Sequence, residues 1–157
     1  SGMMPAENKP KTVVVEYFNV HGRAQSIIQM CAHSMIKPEK KEFTLEQWVG
    51  MKGKGDYKVG GLPHVIVDGK RFQETTPMLR MIGMRCGLYQ GATPEMCHAN
   101  DANMENLNNT LGKSNAYFFN PEAPKDKVDE WKKEVGPMWM AMEAKMKECG
   151  WSYLAGN

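Results

Sequence analysis

Cysteine is sparse. Cys31, Cys86, Cys97 and Cys149 are scattered over 157 positions, and no Cys-x-x-Cys occurs. That spacing excludes a zinc ribbon and a dithiol redox site. Cys97-His98 has no second ligand pair at a metal-binding distance, so no metal is expected. Unclustered thiols fit a reduced, cytoplasmic protein. No run approaches the roughly 18 apolar residues of a membrane span, and no signal peptide opens the chain, so no membrane partner is expected. Charge of one sign is lacking too: 20 Lys and Arg face 18 Asp and Glu, a formal net charge of +2. Without a basic stripe carrying interleaved aromatics, nucleic acid is not an expected partner. Lys40-Lys41 and Lys132-Lys133 read as solvated faces. Ser1-Gly2 ahead of Met3-Met4 reads as a cloning remnant.

What is present is ordinary globular composition, 41% hydrophobic and 24% charged, in a length that suits one sizeable core or two small ones. Thr12 to Phe18 (TVVVEYF) is β-branched and aromatic, a strand. After the loop Asn19 to Gly22, apolar residues fall at Ala24, Ile27, Ile28, Cys31 and Met35, one face of a helix. Pro38 ends that pattern, and Lys41 to Leu45 reads as a second strand. Residues 46 to 58 hold Gly50, Gly53 and Gly55 and predict an irregular or weakly helical stretch. Val65 to Val67, the hairpin dipeptide Asp68-Gly69 and a strand around Phe72 follow. Met78, Leu79, Ile82 and Cys86 then mark a third helix. The order β-α-β-α-β-β-α requires a mixed sheet, because one connection crosses over and another is a tight hairpin. This is a thioredoxin-like α/β arrangement over residues 11–88. A polar linker, 90–94, leads to an all-helical region, 95–157, with helices expected over roughly 95–115 and 123–148. Gly136-Pro137 is expected to break or kink the second.

Pro63 is the awkward residue. It stands at the mouth of the third strand behind Gly60-Gly61, where it deletes a backbone donor. It is either an ordinary strand-start proline or a device that keeps the backbone at Leu62 for a ligand.

Four segments, "YFNVHGRAQ", "EQWVGMK", "GGLPHVIVDGKRF" and "QETTPMLRMIG", occur in an order and spacing that resembles the glutathione-binding domain of glutathione S-transferases. The nearest class is sigma, which includes glutathione-dependent prostaglandin D synthases. The resemblance spans Thr12 to Tyr89 and continues more faintly to Asn157. It implies glutathione as co-substrate, a small apolar electrophile as its partner, a homodimer and a role in detoxification. It also implies a site. Tyr17 would be the catalytic residue, donating to the glutathione sulfur and favouring the thiolate. Arg23 would add positive potential behind it. Trp48 and Lys52 would hold the glycyl carboxylate. Gly61, Leu62 and a cis-Pro63 would present backbone to the cysteinyl part. Glu74 and Thr75, at a helix N-terminus, would take the γ-glutamyl end.

The chain also departs from the pattern. His21 stands where the family has Arg. Pro77 biases Thr76 away from helical geometry, so Thr76 is expected as N-cap with Pro77 at N1. Three acidic positions of the family read Glu105, Asn108 and Asn109, which argues against a divalent-ion site. "CGWSYLAGN" resembles the stretch just before the family's central helix, so the helical domain is expected to be incomplete. The stripe Met138, Trp139, Met142 and Met146 would then need another partner, and the chain is expected to be poorly stable or associated. The sequence supports a transferase or glutathione-dependent isomerase. Its rival is a non-catalytic scaffold of the same fold.

Overall fold

Val13–Phe18 (β1) is the central run of the sheet, and it is there because its β-branched residues suit a pleated, half-buried surface. The computed structural model describes residues 8–89, 93–118, 127–150 and 152. The chain divides into two compact units, 1–91 and 92–157. In the first unit Ala24–His33 (α1) leads to Glu39–Phe43 (β2), then Leu45–Met51 (α2) and a 3-10 turn at Gly55–Tyr57. His64–Val67 (β3), Lys70–Gln73 (β4) and Thr75–Arg85 (α3) complete it. The sheet order is β2-β1-β3-β4, with β1 parallel to β2 and antiparallel to β3. The thioredoxin-like mixed sheet expected from the element order is therefore observed.

The register assigns the two faces. Val13 pairs with Val67 and Val15 with Val65, and all four are buried with Ile27 and Cys31 of α1 and Met78 and Ile82 of α3. Burial drives the Cys31 thiol up to about 11, so it behaves as a small apolar core residue. Alternation sends Glu16, His64 and Ile66 to the opposite face. At the far end of the sheet Asp68 (φ 47°) and Gly69 (φ 81°) make the expected two-residue hairpin turn. The Asp68 carboxylate accepts from the Thr12 and Lys11 N–H groups, both at 2.9 Å, and from Arg85 at 2.6 Å. The Thr12 bond and then the Arg85 bond hold its pKa down to about 2.

Two local expectations change. The second strand lies at Glu39–Phe43 rather than 41–45, because Thr44 is taken by a capping box: it accepts from the Gln47 N–H, and Gln47 accepts from the Thr44 N–H. Thr44→Ala is expected to cost about 1 kcal/mol. An unchanged melting temperature would show that other packing holds α2. Pro77 does not delay α3, which begins at Thr75 behind Glu74. The first intrahelical bond is Met78 N–H to Glu74 C=O, so position 77 needs no donor.

In the second unit Pro94–Phe118 (α4) and Lys127–Cys149 (α5) are joined by several contacts. The indole of Trp131 donates to Ser114 at 2.9 Å, Lys113 pairs with Glu134 at 2.9 Å, and Thr110 donates to the Met138 sulfur at 3.6 Å. These contacts fall on both sides of Pro137. α5 runs through Gly136-Pro137 without a break in the helix. Trp139 and Met140 are exposed, while Met138, Met142 and Met146 are half-buried. The expected helix start near 123 and most of the "CGWSYLAGN" stretch lie outside the described residues, as does most of the linker. No helix among the described residues is long and apolar enough to cross a membrane.

Candidate functional site

Tyr17, half-buried, directly follows the buried part of β1. The register pairs it with Glu42 of β2 on one side. On the other side Glu16 pairs with His64, so one further step sets Tyr17 opposite Pro63. The phenol hydroxyl accepts the Arg23 N–H at 3.2 Å, and the ring meets Phe18 at a centroid distance of 5.4 Å. Among the described residues no acceptor takes the hydroxyl's own proton. Beside Tyr17 a cleft of about 350 Å3 opens between β1, α1 and β2. Val15, Phe18, Val20, Ala24 and Ile28 give it apolar lining, with His21, Gln25, Lys40 and Glu42 also around it.

Gly61, Leu62 and Pro63 stand just ahead of β3, Glu74 and Thr75 at the start of α3, and Trp48 and Lys52 toward the end of α2. Leu62-Pro63 is a cis peptide, as expected, and leads directly into β3. Leu62 has no backbone partner among the described residues. Gly60, at φ +77°, lies against the side chains of Gln73 and Glu74: a Cβ there would sit 3.1 Å from Gln73 Oε1 and 3.3 Å from Glu74 Oε1. This brings the loop ahead of Pro63 next to the N-terminus of α3. Glu74 is exposed at φ 68° with its side chain free of any capping bond, and Thr75 behind it is buried. Gly61 is exposed, and Lys52 caps α2 with its side chain in solvent. Trp48 is different. It is buried, and its ring stands edge-on to Tyr57 at 5.7 Å. The cleft takes in Tyr17 but none of Arg23, Trp48, Lys52, Gly61, Leu62, Pro63, Glu74 or Thr75.

Sequence reasoning missed a polar cluster on the sheet face opposite the Val13–Val15 core. Glu16 is fully buried there and accepts from Lys41 at 3.0 Å, from the Tyr57 hydroxyl at 3.0 Å, and from Arg71. His64 is equally buried, with Nδ1 3.5 Å from Arg71, and its Nε2 finds no partner among the described residues. Burial pushes the Glu16 carboxyl up, but hydrogen bonds from Arg71, Lys41 and Tyr57 outweigh it and leave the pKa below the usual value. Burial, then the Arg71 charge, lowers that of His64. Burial, then the bond to Glu16, raises that of Tyr57. The one available signal was a lone charge inside TVVVEYF, on the opposite parity to Val13 and Val15.

A four-stranded β2-β1-β3-β4 sheet with its α1 and α3 helices, followed by a helical unit, is the fold of the glutathione S-transferases, the family the four motifs resemble. Among the solved structures that share it is a prostaglandin synthase D of Nilaparvata lugens. That protein is 24% identical, with 91% of this chain and 71% of that one covered and a TM-score of 0.74. A nematode-specific GST of C. elegans is 22% identical, covering 92% of this chain and 72% of its own, at a TM-score of 0.75. A Nu-class GST from Haemonchus contortus is 22% identical over 87% of this chain and 69% of its own, at a TM-score of 0.69. No protein-family model matches the sequence. No curated protein matches it either.

Proposed function

We propose that this chain is a sigma-like glutathione transferase, which attacks an apolar electrophile with glutathione thiolate or carries out a glutathione-dependent isomerisation. The observation that carries the reading is the Tyr17 hydroxyl. One lone pair is engaged by the Arg23 N–H, and its proton has no acceptor among the described residues. A sulfur beside it would receive that proton as a hydrogen bond, stabilising the thiolate. Glutathione would lie with its cysteinyl part along Leu62, its γ-glutamyl carboxylate at Thr75, its ammonium at Glu74 and its glycyl carboxylate toward Lys52. The apolar side of the cleft next to Tyr17 suits the electrophile. Solved proteins of this fold that are named as GSTs or prostaglandin synthases support the reading, as does the sequence resemblance. A cytoplasmic homodimer, with no metal, belongs to the same proposal.

Ionisation alone would contribute modestly. Lowering a thiol pKa from about 8.5 to about 6.5 raises the thiolate fraction at pH 6.5 roughly 50-fold. Intrinsic nucleophilicity falls about tenfold over the same interval. Most of the acceleration must then come from holding the electrophile against the sulfur. Tyr17→Phe is therefore expected to leave glutathione affinity, measured by calorimetry, within a few-fold. Conjugation of a generic aromatic electrophile at pH 6.5 should fall about fivefold, with the deficit shrinking as pH rises. A mutant as active as wild type at pH 6.5 would remove Tyr17 from the reaction.

A second reading is a non-catalytic scaffold, because Trp48, expected at the glycyl carboxylate, packs its ring edge-on to Tyr57 and lies outside the cleft beside Tyr17. Calorimetric titration of glutathione separates the two readings. Heat with one-site saturation supports the enzyme, and its absence supports the scaffold.

A further inference from the structure

We propose that Gly22 is a positioning residue: its lack of a side chain lets the Tyr17 hydroxyl lie against the Arg23 N–H. This deepens, and rests on, the reading of Tyr17 as the group that meets the glutathione sulfur. A Cβ at position 22 would lie 2.6 Å from Tyr17 Oη, 3.0 Å from Cε1 and 3.2 Å from Cζ. Carbon atoms in contact normally stand about 3.5–4.0 Å apart, so the phenol and a methyl group cannot share this space. Gly22 also has φ +33°, toward the left-handed region that side chains disfavour.

The clash and the hydrogen bond are one residue apart. An added methyl group leaves two escapes. The loop can withdraw, carrying the Arg23 N–H with it, or the phenol can swing away from its present place. Either movement separates the hydroxyl from the donor 3.2 Å away. The effect belongs to this glycine and not to positive φ in general. Gly53, Gly55 and Gly69 also have positive φ, yet a Cβ on any of them would meet nothing within 4 Å. Gly69, in the hairpin at the opposite end of the sheet, therefore supplies a control that carries backbone strain without a clash.

The test compares wild type, Gly22→Ala, Gly69→Ala, Tyr17→Phe and the Tyr17→Phe/Gly22→Ala double variant. Each is titrated with glutathione. The ultraviolet absorbance of bound thiolate and the conjugation rate are followed against pH. Gly22→Ala is expected to lose thiolate absorbance at pH 6.5 and about fivefold in rate, as Tyr17→Phe does. The double variant should be within twofold of either single variant, since both act through one hydroxyl. Gly69→Ala should match wild type in both readouts whatever its melting temperature.

Full thiolate in Gly22→Ala, or losses that multiply in the double variant, would overturn the proposal. If wild type binds glutathione and Gly22→Ala behaves like it, only the role of Gly22 falls. If wild type binds none, the reading of Tyr17 falls and takes this one with it. Should Gly22→Ala fail to fold, recovery of folding in a Tyr17→Ala/Gly22→Ala variant, which lacks the contacts at Oη, Cε1 and Cζ alike, supports the steric assignment. Failure to recover overturns it.

Discussion

Glu16→Ala is expected to destabilise the sheet unit by about 3–5 kcal/mol, the range for removing one member of a buried charge pair. The carboxylate has no exposed surface and gathers Lys41, Tyr57 and Arg71. Its loss leaves Arg71, whose side chain is only 25% exposed, beside a buried His64, with Asp56 at 3.6 Å as its remaining acid. The cost lies in the stranded cation rather than in the pair itself. Replacing both ends, as in Glu16→Leu/Arg71→Met, should therefore lose less than Glu16→Ala alone. Urea unfolding measures both. A single-variant loss below about 1 kcal/mol would mean that the cluster behaves as a surface pair.

Acid should unfold the same unit in two stages of the same sign. His64 is held below its ordinary 6.5 by burial and then by Arg71. Below that pH the unfolded chain binds a proton that the folded chain refuses. Stability from neutral His64 is thus complete above 6.5 and declines as pH falls from there toward the folded value. One proton corresponds to a slope of at most about 1.4 kcal/mol per pH unit. Glu16, held below 4.5 by its three donors despite burial, follows at lower pH. Its contribution stands above 4.5 and disappears as pH falls through its folded value. His64→Gln should flatten the upper stage and leave the lower one. Urea midpoints collected against pH check this, and an unchanged fall between pH 6.5 and 5 in the variant would reassign the proton.

Local chemistry made the sheet legible: a β-branched run, an Asp-Gly turn and apolar residues at helical spacing. The errors came where a local rule met a partner it could not see. Leu45 reads as strand until Thr44 is recognised as a cap, after which it begins α2 as an exposed residue. Pro77 reads as a helix delay until its position in the first turn shows that no donor is missing. Pro137 reads as a break or kink, and α5 passes it unbroken with contacts to α4 on both sides. The Glu16 cluster was the least visible, because its partners stand 25, 41 and 55 residues away along the chain. The candidate site was legible through motif resemblance and not through periodicity. That is why Tyr17, Leu62, Pro63 and Glu74 could be named while the burial of Trp48 could not.

The edge strand β2 also governs how two copies of this chain can meet. Its sequence from Glu39 to Glu42 is Glu-Lys-Lys-Glu, the same read in either direction, and all four residues are exposed. If a second β2 were to add antiparallel to the first so that these four residues paired, Glu39 would face Glu42 and Lys40 would face Lys41. Every opposed pair would then be of like charge, which destabilises a ladder. A palindrome of charges thus repels its own image. The sheet keeps an open rim that resists growth from one copy into the next, a standard hazard of uncovered strands.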